Sequence, residues 1–266
     1  MSLIGEKVCL TLNKIFPYKK PMGRNSLEEY TQVQIKWAEA RYKLISKYIN
    51  LEGKTVLDAG CGTGGKTFFY SQKGVNKIYG VDLNPVSIKT AKEMFGSTPN
   101  IEYICGSITE LPYSENSFDY VILNDVVEHI ERPILEAALL ELKRVVKPEG
   151  SILLEFPPWT SHDASHLYDY ISVPWCQLFF SDETLINVVR QVADKKGVSK
   201  DKVDFLIKDF GELNRITFSE SRQLFKKLQL RVIRHDKLVF FNWNWLRYIP
   251  YFNRFVTKRV FAILGK

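Results

Sequence analysis

The chain has no C-x-x-C pair. Its four cysteines, Cys9, Cys61, Cys105 and Cys176, stand far apart, so neither a zinc knuckle nor a disulfide framework is suggested and a reducing cytoplasm fits best. It lacks any run of about 18 uncharged apolar residues, so no membrane-spanning helix is expected. Residues 1–16 lack the unbroken apolar stretch of a secretory signal, because Lys7 and Lys14 interrupt them. Low-complexity tracts and internal repeats are absent too. The net charge of +7 is not spread along the chain: residues 231–266 hold Arg231, Arg234, Lys237, Arg247, Arg254, Lys258, Arg259 and Lys266 against Asp236 alone. The rest is neutral overall. RNA recognition brings basic and stacking aromatic residues onto one surface, so no nucleic-acid partner is expected here.

What is present, 266 residues with 45% hydrophobic and 25% charged composition, suffices for one α/β core and an insertion. Tyr30, Val33, Trp37, Ala40, Leu44, Ile45, Tyr48 and Ile49 recur at helical spacing behind Ser26, a capping residue. From Thr55, the short runs TVLDAG, KIYGVDL, IEYICG, FDYVILN and SILLEFP alternate with helical stretches, which predicts a parallel sheet of right-handed crossovers. A helix over 130–146 is stopped by Lys147-Pro148-Glu149-Gly150. After Pro157-Pro158 the alternation breaks, apart from a helical segment over 182–192. It resumes at Thr217 with the helix SESRQLFKKL and the strand-like runs LRVIRH and KLVFFNW.

Residues Gly60-Cys61-Gly62-Thr63-Gly64-Gly65-Lys66-Thr67 fit two generic motifs, the dinucleotide loop G-x-G-x-x-G and the P-loop G-x-x-x-x-G-K-[ST]. The P-loop reading gains a hydrophobic strand ending in an acid, Tyr120 to Asp125. Asp58 argues against it, since a carboxylate beside a triphosphate cradle repels the ligand. S-adenosylmethionine (SAM), with its sulfonium and ammonium groups, is matched by an acid there. Asp82, at the end of the second strand, can accept both ribose hydroxyls, as acids in NAD sites also do. An Asp in such a place also caps a following helix. Cys61 reads as a small loop residue rather than a nucleophile.

The run Val56-Leu57-Asp58-Ala59-Gly60-Cys61-Gly62-Thr63-Gly64, followed by Gly80-Val81-Asp82, resembles the first two motifs of class I SAM-dependent methyltransferases. Leu111-Pro112-Tyr113, Asn116-Ser117-Phe118-Asp119-Tyr120, Val127-Glu128-His129-Ile130 and Leu142-Lys143-Arg144-Val145-Val146-Lys147-Pro148 resemble the ubiquinone/menaquinone methyltransferase-like (methyltransferase type 11) branch. The resemblance covers residues 51–157. It implies a sheet with a reversed last strand and SAM across the carboxyl ends of the first four strands. By position it places Asp58, Gly60 and Gly62, with Cys61 and Gly64 in the same loop, around the methionine part. Asp82 falls on the ribose and Leu83 on the adenine. Ser107, beside Ile108, replaces the acid that usually meets the adenine amino group. Asn124 and Asp125 line the methyl-donor pocket, with His129 a turn further on, and Glu149 stands where a glycine is usual.

The expected fold is α/β: a Rossmann-like, seven-stranded, mostly parallel sheet with helices on both faces. Residues 1–50 form a helical cover, 51–157 and 213–245 the SAM-binding core, 158–212 a lid insertion that binds the acceptor, and 246–266 a basic amphipathic tail. Within the lid, Trp159, Tyr168 and Tyr170 are expected to meet the acceptor, and His162 and His166, with His129, to supply a base. His162 and His166 would share a helix face, with Asp163 and Asp169 nearby, but no helix is established and no third ligand fixed, so no metal is expected. Tyr18, Arg24, Tyr30 and Trp37 either close over SAM or enter the core. In the tail, Tyr251, Phe252, Phe255, Val256, Val260 and Ile263 interleave with Arg254, Lys258 and Arg259, to pack on the domain or dock on an anionic membrane. The function expected is methylation of a small molecule, at oxygen, with a lipid-linked or glycan-type acceptor. A P-loop NTPase, an RNA methyltransferase and a non-catalytic SAM-binding protein are the alternatives.

Overall fold

The computed structural model describes residues 2–16, 26–239 and 253–266. Five strands run parallel: β1 (Thr55–Ala59), β2 (Lys77–Asp82), β3 (Ile101–Cys105), β4 (Phe118–Asn124) and β5 (Val146–Phe156). β7 (Thr257–Gly265) lies antiparallel between β5 and β6 (Arg231–Val239), giving the order β3-β2-β1-β4-β5-β7-β6. The expected seven-stranded sheet with one reversed strand is what forms.

The strands follow from apolar runs buried on both faces, as a sheet covered by crossover helices requires. Alternate residues go to opposite cores. Leu57, Val121, Leu123, Ile152 and Leu154 pack with α5 (Arg132–Val145) and α9 (Phe218–Lys227). Val56, Ile122 and Leu153 pack with α2 (Leu27–Ile45), α3 (Gly65–Ser71) and α4 (Pro85–Phe95). Local chemistry sets the helix starts: Ser26 accepts from the Glu29 N–H, Asn84 caps α4 ahead of Pro85, and Thr217 with Glu220 closes a capping box on α9. Register brings Asp82 opposite Cys105 and Asn124 opposite Glu155, so these residues share one carboxyl edge of the sheet.

Three expectations change. The stretch Lys147-Pro148-Glu149-Gly150 is the irregular start of β5 rather than a turn before it, with a register shift between Phe118 and Tyr120. The first 50 residues divide: α1 (Ser2–Ile15) packs on α7 (Asp182–Lys195) and, with α6 (Cys176–Phe179) and α8 (Lys200–Glu212), builds a third core inside the insertion. Glu6 there accepts hydrogen bonds from Asn187 and Gln191. Among the described residues of this stretch, α2 is the element that reaches the sheet's site edge. The tail, finally, packs on the domain as a strand rather than as an amphipathic segment: Val260, Phe261, Ala262, Ile263 and Leu264 are buried in β7. LRVIRH and the start of KLVFFNW merge into β6. Residues 240–252, with Tyr251 and Phe252, and residues 17–25, with Tyr18 and Arg24, lie outside the described residues.

Candidate active site

The glycine loop leaves β1 at Ala59. Gly60 and Cys61 donate to the Val81 carbonyl, tying the loop to β2. Gly60 (φ 79°) and Gly64 (φ 80°) adopt the left-handed backbone, and a Cβ would fall 2.5 Å from Val126 Cγ2 in the first and 2.6 Å from the Tyr103 hydroxyl in the second. Only glycine fits either place. From above, α2 presents Thr31 and Gln34. Gln34 Oε1 accepts from Thr63 Oγ1 (2.9 Å) and the Gly65 N–H (3.2 Å).

The two side chains a P-loop would turn toward phosphate and metal are used internally. Lys66 Nζ donates to the Asn124 carbonyl (2.5 Å) and lies 3.4 Å from Asp125, and Thr67 Oγ1 donates to Asp58 (2.6 Å). The P-loop reading of residues 60–67 fails on these contacts.

Asp58 is 1% exposed, and it underpins α3 rather than facing open space. Burial raises its carboxyl from the ordinary 3.8 to about 6, against the opposing pull of Thr67 and Lys66. The folded state therefore holds a proton that the unfolded chain has lost between those values, and stability falls as pH rises through that window. Asp58→Asn should be more stable than the native chain at pH 8 by about 1–3 kcal/mol, with the gap closing toward pH 4. Urea unfolding across that range checks it; a native chain more stable at pH 8 would contradict it.

Asp82 sits half-buried at the end of β2, its carboxylate accepting from the Gly62 N–H (2.8 Å) and the Asn84 N–H (2.9 Å). Each oxygen keeps lone pairs for further donors. Beside it Leu83 is 73% exposed, an apolar platform at the strand end. Ser107 engages Thr109 (2.7 Å), and Ile108 packs partly on the first core. A ribose-bearing donor with a flat apolar base fits this edge: glycine backbone, then carboxylate, then exposed leucine. Cys61 is buried, and burial with the nearby Asp58 and Asp82 keeps it a neutral thiol.

Asn124 corrects one expectation, since its side chain donates to the Tyr70 hydroxyl in the interior (2.9 Å) and does not line a pocket. Asp125 does stand at the edge, with φ 55°, an unusual value for a residue other than glycine. Arg41 from α2 grips both its oxygens (2.7 and 3.0 Å) and also meets Glu155 (3.1 Å). Arg259, carried in by β7, lies 3.8 Å from Asp125 and 3.3 Å from Asp163. Burial alone would push Asp125 up; Arg41, Lys66 and Arg259 hold it well below the usual carboxylate range.

The histidines regroup. Residues 157–175 form turns, so His162 and His166 share no helix face. His162 Nδ1 lies 3.3 Å from Asp163. His166 (φ 58°) instead meets His129, their rings 5.0 Å apart, and Asp209 of α8 stands between the two Nδ1 atoms at 3.2 Å from His129 and 3.6 Å from His166. Burial lowers the His129 imidazole, but Asp209 and Glu128 more than offset this and leave it raised. Tyr168 borders His166 at a ring distance of 6.5 Å, whereas Trp159 and Tyr170 pack on the insertion's own core. Sequence reasoning missed Gln34, Arg41, Glu128, Asp209 and Arg259 as members of this region. Glu128 alone had a local signal, as the neighbour of His129. A cavity of about 250 Å³ lined by Tyr48, Tyr120, Glu149 and Arg234 opens at the opposite, amino edge of the parallel strands.

Comparison with known proteins bears on the same segment. Residues 57–154 match the family described as "Methyltransferase domain". Over 104 residues the chain is 33% identical to a demethylmenaquinone methyltransferase of Staphylococcus aureus, covering 38% of this chain and 42% of that protein. It is 37% identical over 102 residues to a sterol 24-C-methyltransferase of Pneumocystis carinii, covering 37% of this chain and 26% of that one. The chain thus spans less than half the length of these curated relatives. Two solved structures share the fold: a protein from Pyrococcus horikoshii (22% identity, TM-score 0.56, 96% of this chain and 98% of that one) and a SAM dependent methyltransferase from Aquifex aeolicus (16%, 0.55, 88% and 97%). The stretch that builds the sheet's carboxyl edge therefore matches a methyltransferase domain, and the chain shares its fold with a SAM dependent methyltransferase.

Proposed function

We propose that the chain methylates a small-molecule acceptor, at oxygen, with SAM as donor and the acceptor held between the ends of β4 and β5 and the 158–212 insertion. One observation carries this reading: a continuous set of charged contacts runs from the glycine loop through Lys66, Asp125 and Arg259 to Asp163 in the insertion. Donor cradle and lid are thereby joined over one edge. Asp82 and Leu83 would hold ribose and adenine, with the backbone of Gly60, Gly62 and Gly64 around the methionine part and Ser107 and Ile108 at the base; Asp58 and Cys61 support the loop from beneath. When bound, SAM supplies an electrophilic methyl group on a sulfonium, open to in-line displacement. The chain's own work is to orient the acceptor, exclude water and take up the hydroxyl proton at the His129–His166 cluster as the new oxygen–carbon bond forms.

The relatives named for a demethylmenaquinone and a sterol support a small-molecule acceptor, and a lipid-linked or glycan-type molecule is the finer form of the proposal. Membrane docking through the tail loses its described part, since Val256, Val260 and Ile263 are spent on the interior. Among the described residues no helix is long and apolar enough to cross a membrane. All four cysteines are unpaired, which supports a cytoplasmic setting.

The test is a screen of hydroxylated small molecules with SAM, following S-adenosylhomocysteine. Turnover is expected with an oxygen acceptor, and His166→Asn, which tolerates the left-handed backbone, should lower it by about 10²–10⁴ while SAM affinity is unchanged. Full turnover in both His166→Asn and His129→Ala, or methylation at carbon, would overturn the reading.

A further inference from the structure

Glu128 is 4% exposed, and neither of its carboxylate oxygens finds a hydrogen-bond donor among the described residues. A buried carboxylate in that condition is costly to keep and marks a missing partner. One of its oxygens, one nitrogen of His129 and one nitrogen of His166 lie within 4.8 Å of one another. Asp209 faces the Nδ1 atoms of both imidazoles. A carboxylate behind a histidine fixes its tautomer and turns the remaining nitrogen into a ligand, the usual support of a metal-binding imidazole.

The backbone holds these groups in place independently of any ligand. Asn214 donates its side-chain N–H groups to the Val127 and Ile130 carbonyls, and its backbone N–H to the Glu128 carbonyl, so the turn bearing Glu128 and His129 is locked. His166 is fixed by its turn at φ 58°, strained for a residue other than glycine and bordering Asp209 and His129. The unpartnered oxygens, the converging nitrogens and the supporting carboxylate are three separate observations at one point.

We propose that Glu128, His129 and His166 form a binding site for a divalent transition-metal cation, with Asp209 positioning the histidines. Two imidazoles and one carboxylate suit Zn²⁺ and its first-row neighbours and discriminate against Mg²⁺ and Ca²⁺, which take oxygen ligands. A tetrahedral ion at ~2.1 Å needs ligand atoms about 3.4 Å apart, so side-chain movements of roughly 1 Å complete the site. With the ion bound the two imidazoles are ligands and no longer take up the hydroxyl proton; three protein ligands leave a fourth position, where water or an acceptor oxygen would be polarised and its proton passed to solvent. Binding itself does not depend on the methyl-transfer reading.

The probe is Zn²⁺, titrated calorimetrically into the full chain after removal of metal with a chelator, with Co²⁺ absorbance as a second signal. One equivalent per chain is expected, with Mg²⁺ at least about 100-fold weaker. Glu128→Gln and His166→Asn should each weaken Zn²⁺ by about 10- to 100-fold, while Cys105→Ser, which removes the exposed thiol, leaves it unchanged. The nearly isosteric Glu128→Gln guards against misfolding: at equal concentration Zn²⁺ should raise the unfolding midpoint of the native chain more than that of this variant. Failure of Zn²⁺ to bind, full retention in both ligand variants, or loss in Cys105→Ser would each overturn the site. S-adenosylhomocysteine formation without Zn²⁺ binding would defeat this inference alone; Zn²⁺ binding without methyl transfer would defeat only the proposed activity.

Discussion

Arg41→Ala is expected to destabilise the chain by about 3–5 kcal/mol, more than any other single truncation at the site edge. Its guanidinium is 11% exposed and holds Asp125 through two bonds and Glu155 through a third, and the Glu155 side chain is itself only 8% exposed. Removing a buried ion's partner costs far more than a surface pair contributes, because the remaining charges stay desolvated. Lys66 and Arg259 would still attend Asp125, which sets the loss below complete unfolding. Arg41→Lys should fall between the two, since an ammonium cannot reproduce the fork that spans two carboxylates. Urea unfolding at neutral pH measures this directly: the midpoint should drop with the slope unchanged. A loss under about 1 kcal/mol would mean that the pair is open to solvent and that α2 is not anchored through it.

The same helix shows where sequence stops being informative. Of the face read from spacing, Ile45 and Ile49 are buried, but Tyr30, Val33, Trp37 and Ala40 are not; there the buried positions are Thr31, Gln34 and Ala38, with Arg41 in the same series. Spacing of three and four was visible in both sets; that the polar set faces inward depends on the glycine loop beneath it. β1 to β5 were legible because their apolar runs are bounded by turn residues, and α7 and α9 because their caps are local. β7 was missed by reading residues 251–263 as apolar residues interleaved with basic ones, although Val260 to Leu264 is an unbroken apolar run of the kind that a strand buried on both faces shows. The histidine cluster was half legible: His129 and His166 were named separately, but Asp209 joins them from α8, and no local pattern in the sequence announces that meeting. Asp58 was read as an open acid beside the glycine turn; its burial beneath Thr67 could not be seen without the fold.

Asp82→Ala should weaken SAM by about 100-fold, or ~3 kcal/mol, the loss of hydrogen bonds from two ribose hydroxyls to a charged acceptor. Part of that loss would come through the loop, because the Gly62 and Asn84 N–H groups lose their acceptor as well. Asp82→Asn, which keeps one acceptor oxygen, should be milder. Leu83 bears only on the adenine side, so Leu83→Ala should cost less than either.

The central claim is that the edge formed by the glycine loop, Asp82 and Leu83 is a nucleoside-sulfonium site and not a triphosphate cradle. Calorimetric titration of the native chain and Asp82→Ala with SAM, and separately with ATP and magnesium, tests it. One SAM per native chain, sharply weakened in the variant, with no heat from ATP, is the predicted result. Saturable ATP binding with none for SAM would contradict it.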